Sequence, residues 1–185
     1  MLHMKQKSYK MEIVNELTSN ENHIRGIARK LNTNHMAIVR AIKELQAENV
    51  IDYKKEGKNK KYFLKKTIEA RSYVLSAENY KLNKLLGKYP NLRRVIEKIQ
   101  DDKRIKLAIL FGSYAKSLAR QESDIDIYIE TKDKKIKDDL SSISSKLSIK
   151  IGRYDESDPL IKEIEKNHVI IKGVEHYYEK NRVFN

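Results

Sequence analysis

The sequence contains no cysteine and no tryptophan, and only two prolines, six glycines and three phenylalanines in 185 residues. Without cysteine there is no disulfide framework, no thiolate nucleophile and no zinc–thiolate site, and such a composition suits a reducing cytoplasm. So few prolines and glycines leave no room for a Pro/Gly-rich low-complexity segment. No stretch approaches the roughly 20 apolar residues needed to span a bilayer. The N-terminus MLHMKQKSYK also lacks the apolar centre of a secretion signal. The expectation is therefore a chain without a membrane partner. Acidic residues are scarce relative to basic ones, 26 against 39, for a net charge of +13. An excess of this sign points to an anionic partner, nucleic acid or nucleotide, and says nothing about fold. With 39% hydrophobic residues the chain can still build a core, which excludes a disordered polyelectrolyte.

The positive charge is uneven. Residues 1–66 carry a net +8 and residues 67–185 a net +5, so the first third holds most of the excess. This asymmetry suggests two modules.

In the first module, Met11, Ile13, Val14 and Leu17 recur at helical spacing, then Ile24, Ile27, Ala28 and Leu31, then Ile38, Ala41, Ile42 and Leu45. Ser19-Asn20 and Asn32-Thr33-Asn34 interrupt the stripes with turn and N-cap residues. After Asn49 the pattern changes to strand, turn and strand: Val50–Tyr53, Glu56-Gly57-Lys58-Asn59, and Tyr62–Leu64. Three short helices followed by a basic hairpin resemble a winged helix-turn-helix. The stretch IARKLNTNHMAIVRAIKELQAENVIDYKKEGKNKKYFLKK is similar to the motif of small prokaryotic winged-helix regulators. The resemblance implies double-stranded DNA as partner. Thr33, Asn34 and His35 would sit at the N-terminus of the recognition helix and Arg40 further along it, with Lys55, Lys58 and Lys60, beside Lys54 and Lys61, on the wing. Asn can pair bidentately with adenine. The same residues have simpler uses. The asparagines can cap a helix, and a lysine-rich hairpin can serve as a solvated edge that blocks aggregation.

Residues 68–101 read as helical, with Ile68, Ala70, Val74, Leu75, Leu82, Leu85 and Leu86 on an apolar side. Gly87 and Pro90 punctuate the stretch, and Asn91 is placed to cap a helix bearing Val95, Ile96 and Ile99. Such a helix packs a domain or pairs two copies, so a homodimer is among the expectations.

The second module begins with an apolar run, Ile105–Phe111, followed by Gly112-Ser113 and then DIDIYIE. Strict alternation puts Asp124, Asp126 and Tyr128 on one face of a strand and Ile125, Ile127 and Ile129 on the other. The two aspartates are then about 7 Å apart along the chain. Like charges held there repel unless a cation joins them, and carboxylate pairs suit Mg²⁺ together with substrate phosphates. The plain alternative is a surface strand with alternating acids.

Strand, Gly-Ser turn, a ten-residue spacer and Asp-Ile-Asp-Ile in that order resemble the nucleotidyltransferase superfamily with a DNA polymerase beta-like palm. The resemblance implies that Gly112 and Ser113, helped by Lys116, hold the phosphates of ATP or another NTP. It also implies that Asp124 and Asp126 ligate Mg²⁺ as catalytic carboxylates, and it allows a partner, toxin-like protein as acceptor. Such sites usually have a third carboxylate on the neighbouring strand. The matching strand, Leu147–Ile151, offers Ser148 and Lys150 at its outward positions, and Asp155 and Glu156 fall outside the register.

The remaining segments predict a helix over Ile136, Leu140, Ile143 and Leu147, another after Ser157-Asp158-Pro159, a strand at His168–Ile171 and a closing turn at GVEHYYEK. The expected fold is α+β: a winged helix over 1–66, a connecting helix over 67–91, and a nucleotidyltransferase-like mixed β-sheet with flanking helices over 92–185. Two functions follow. One is a DNA-binding transferase moving a nucleoside monophosphate, AMP first among them, from Mg-NTP to an acceptor hydroxyl. The other is a DNA-binding transcriptional regulator whose transferase-like domain senses nucleotide or dimerises.

Overall fold

A computed structural model describes residues 8–181 and Phe184. The chain divides into two compact units between Tyr80 and Lys81, inside the helix α4 (Ile68–Lys88).

In the first unit, α1 (Tyr9–Ser19), α2 (Ile24–Lys30) and α3 (His35–Ala47) turn their apolar stripes inward. Ile13, Val14, Ile27, Ile38, Ile42 and Leu45 are all within 1% of full burial. Each such side chain contributes roughly 1.5–3 kcal/mol relative to exposure. Three strands, β1 (Asn22–His23), β2 (Ile51–Glu56) and β3 (Asn59–Leu64), form an antiparallel sheet in the order β1-β3-β2. Gly57, with φ +60, makes the tight turn between Glu56 and Asn59. The succession helix, strand, helix, helix and two-stranded wing is that of a winged helix. The strand β1 has no sequence signal, since two residues cannot show alternation. A buried acid ties it in place: Glu16 accepts from Lys30 Nζ at 2.7 Å and from Asn22 Nδ2 at 3.2 Å, so its charge is compensated.

The second unit is built on a four-stranded mixed sheet of order β6-β5-β4-β7. Its strands are β4 (Leu107–Leu110), β5 (Ile125–Glu130), β6 (Leu147–Gly152) and β7 (Val169–Lys172). The β4–β5 and β4–β7 pairs are antiparallel. The crossover through α7 (Ile136–Ser141) makes β5 and β6 parallel. Ala108, Leu110, Ile125, Ile127, Ile129 and Ile149 face a core shared with Val95, Ile96 and Ile99 of α5 (Arg93–Asp101). The opposite positions Leu107, Ile109 and Tyr128 are buried as well, as are Ile161 and Ile164 of α8 (Pro159–Lys166). Asp158 caps α8 by accepting from Leu160 N at 2.7 Å, with Pro159 at the first helical position as the sequence predicts.

Three local expectations are corrected. The segment GVEHYYEK is a helix, α9 (Val174–Lys180), rather than a closing turn, because burying Tyr177 and Tyr178 favours regular structure. The helix α7 stops at Ser141, and Leu147 opens β6 instead of extending the helical stripe. Asn91 lies within a single 3-10 turn, Pro90–Leu92, and does not cap α5. Among the described residues no helix is long and apolar enough to cross a membrane.

Candidate nucleotide site and nucleic-acid surface

In the first unit, Asn34 is the N-cap of α3, its Oδ1 accepting from Ala37 N at 2.8 Å. Thr33 precedes it and donates from Oγ1 to Tyr9 Oη at 2.9 Å, which anchors the turn to α1. His35 and Arg40 are exposed on α3, as is Met36 at 58%. The five hairpin lysines separate into two groups. Lys54 is neutralised by Glu21 at 2.6 Å, and Lys61 by Glu56 at 3.4 Å. Among the described residues Lys55 and Lys58 carry no ion pair, and Lys60 stands 3.9 Å over the ring of Tyr53. The uncompensated wing charge is therefore carried by Lys55, Lys58 and Lys60.

In the second unit β4 ends at Leu110, and the chain turns sharply through Gly112, which has φ +69, into the four-residue helix α6 (Gly112–Ala115). Phe111 N donates to Asp126 O at 3.0 Å and holds this turn against β5. The Gly112 backbone then lies directly on the Asp126 carboxyl group: a Cβ at Gly112 would stand 3.2 Å from Asp126 Cγ and closer still to Oδ2. Glycine is required here twice, by the left-handed backbone and by the missing space. Asp124 is exposed just before β5 and Asp126 is half-buried within it. Burial, together with the charge of Asp124, holds the Asp126 carboxyl above the usual carboxylate range. A hydrogen bond from Ser148 and the charge of Lys150 oppose that rise. The parallel register sets Asp126 opposite Ser148 and Tyr128 opposite Lys150.

Residues 93–176 match the family model described as Polymerase beta, Nucleotidyltransferase. They form a nucleotidyltransferase domain. Solved structures of modest likeness also match parts of the chain. The adhesin competence repressor AdcR of Streptococcus pyogenes is 20% identical over 49% of this chain and 66% of its own, just under two thirds of its length, with a TM-score of 0.39. A point mutant of ZitR from Lactococcus lactis is 22% identical over 53% of this chain and 73% of its own, with a TM-score of 0.38. No curated protein matches.

The nucleotidyltransferase domain brings Gly112, Ser113 and Asp126 together, with Asp124 within electrostatic reach of Asp126. Lys116 lies at the end of α6 with Nζ 3.7 Å from Glu163 Oε1 of α8, so part of its charge is answered within the protein. No cluster of three or more His, Cys, Asp or Glu residues suited to a metal ion occurs among the described residues. On β6 a serine and a lysine occupy the positions nearest Asp126, as the outward register predicts. The two aspartates nevertheless fit a divalent cation. Burial and the neighbouring charge of Asp124 disfavour the ionised Asp126 carboxyl, and a cation shared by the two acids would relieve both.

One polar group was hidden in the sequence. The alternation that carries Asp124 and Asp126 continues to Glu130, where a half-buried carboxylate accepts from His176 Nε2 at 2.9 Å and Lys180 Nζ at 2.8 Å. Although burial raises its pKa, these two partners win and bring Glu130 below its ordinary value. His176 thus has a carboxylate partner on β5. Extending the period-two pattern by four residues would have found the acid, but not the helix that answers it.

Proposed function

We propose that this protein is a DNA-binding nucleotidyltransferase that moves a nucleoside monophosphate from an NTP to an acceptor hydroxyl. The observation that carries the reading is the seating of the Gly112 turn on the carboxyl group of Asp126. That contact sets a glycine backbone, which a phosphate can approach closely, beside a half-buried acid of β5. Gly112 and Ser113 hold the phosphates, and Asp124 and Asp126 hold Mg²⁺, which supplies neutralisation of the phosphate charge when bound. In the transfer, the acceptor oxygen bonds to the α-phosphorus and the bond to the β-phosphate oxygen breaks. Pyrophosphate leaves, and the hydroxyl proton passes to water. Incubation with Mg²⁺ and α-labelled ATP tests the reading: label should move to an acceptor as pyrophosphate appears, and Asp126→Asn should abolish both. Unchanged transfer in that variant rules out the assigned site.

A second reading has its own support. With Ser148 opposite Asp126 and Lys150 beside it, β6 supplies no third carboxylate. On this reading the domain binds Mg-nucleotide without turnover, and the winged helix acts as a nucleotide-responsive regulator of double-stranded DNA. Tight nucleotide binding without pyrophosphate release across nucleic-acid and protein acceptors distinguishes it. In both readings Thr33, Asn34, His35 and Arg40 face the DNA, and Lys55, Lys58 and Lys60 meet its phosphates.

A further inference from the structure

The parallel strands β5 and β6 end side by side, Glu130 paired with Gly152 in register. Just beyond their carboxyl ends lies a cleft of about 480 Å³, lined by Arg104, Lys106, Glu130, Lys132, Asp133 and Arg153. Crevices outside the carboxyl ends of parallel strands are recurrent ligand sites. Glu130 is four residues beyond Asp126, roughly 13 Å along the strand, so this cleft is separate from the Gly112–Asp126 site.

The charges of the cleft are unbalanced in one direction. Both lining acids are already engaged, Glu130 by His176 and Lys180 and Asp133 by Arg104. Arg104 is itself spent on Asp102, Asp133 and Asp139. Lys106, Lys132 and Arg153 are exposed and make no salt bridge among the described residues. Exposed Lys103, Lys134 and Lys135 adjoin them in sequence and extend the positive surface past the cleft. Lys106 and Lys132 have no counter-charge among the described residues, Arg153 is answered only in part by the charge of Asp155, and a lysine track longer than the cleft suits a chain of phosphates.

We infer that this cleft binds the phosphate backbone of a single-stranded nucleic acid, independently of the winged helix. Binding is to the backbone and is insensitive to sequence, because the cleft is lined by no aromatic ring on which bases could stack. The inference rests on the charges of the cleft and not on the transferase reading.

The test uses the full chain, a fluorescein-labelled 12-nucleotide RNA of mixed sequence and fluorescence anisotropy across a salt series. The triple variant Lys106→Gln/Lys132→Gln/Arg153→Gln should bind at least tenfold more weakly at low salt. The slope of log affinity against log salt should also fall by about 2, from three lost contacts at about 0.7 each. Lys132→Gln alone, in an exposed loop, should lower the slope by about 0.7 and serves if the triple variant unfolds. Asp126→Asn should keep RNA affinity while losing nucleotide, which separates failure here from failure of the transferase site. Unchanged affinity in the triple variant overturns the inference. So does loss of RNA binding in Lys55→Gln/Lys58→Gln/Lys60→Gln, displacement of the strand by inorganic tripolyphosphate at equal phosphate concentration, or equally tight duplex binding through the same three residues.

Discussion

Gly112 and Asp126 occupy one space: the backbone of the first fills the place beside the carboxyl group of the second that any larger residue would need. The turn after β4 and the acid on β5 are thereby a single device. Phe111 N, bonded to Asp126 O at 3.0 Å, locks them together.

Replacing Gly112 by Ala should therefore act on both fold and site. The left-handed backbone alone costs an alanine about 1–2 kcal/mol, and the new methyl group must push the Asp126 side chain aside. Urea unfolding should show a loss of at least that size, and calorimetric titration with Mg-ATP should show nucleotide affinity reduced tenfold or more. An alanine variant that binds nucleotide normally would contradict the shared space.

Asp126 should trade stability for ligand. Its folded pKa lies above the ordinary carboxylate value, chiefly through burial. A raised acid contributes stability below its unfolded pKa and loses it as pH rises through the folded one. At pH 7 the ionised group is thus a burden on the fold. Asp126→Asn should melt higher than the wild type at neutral pH, and the gain should vanish below about pH 4, where both forms are uncharged. Mg-ATP should raise the melting temperature of the wild type and leave the variant unmoved.

Ser148 stands opposite Asp126 in the parallel register, where a third carboxylate would complete the acidic set. Ser148→Asp should tighten Mg²⁺ binding, measured by Mn²⁺ competition. It should also raise the rate of pyrophosphate release by an order of magnitude or more. No gain in either quantity would mean that Lys150 keeps the site from accepting a third acid.

The wing should bind duplex DNA through charge. Neutralising Lys55, Lys58 and Lys60 together should lower the slope of log affinity against log salt by close to 3, at about 0.9 per phosphate contact, whatever the sequence of the duplex. Lys54→Gln should change it little, because Glu21 already answers that charge at 2.6 Å. Asn34→Ala should destabilise the first unit by about 1 kcal/mol through the lost cap on Ala37 N, and a selected binding site should show altered base preference. If stability alone changes, the residue is a cap and nothing more.

The amino-acid sequence by itself determined the elements whose signals are local. Stripes at helical spacing marked α1 to α3, Gly57 marked the wing turn, and Asp158-Pro159 marked the start of α8. Strict alternation put Asp126 on the face of β5 opposite Ile125 and Ile127. Those signals are legible because period and capping depend only on neighbours in the chain. Tertiary structure alone decided what meets across distance. It seated Gly112 on Asp126 and set Ser148 opposite that acid. It paired Glu130 with His176 and Lys180, turned the last segment into α9, and gathered Lys106, Lys132 and Arg153 around one cleft. The physical reason is that strand register and helix docking are set by the burial of whole faces, and no local period carries the identity of the partner across a sheet.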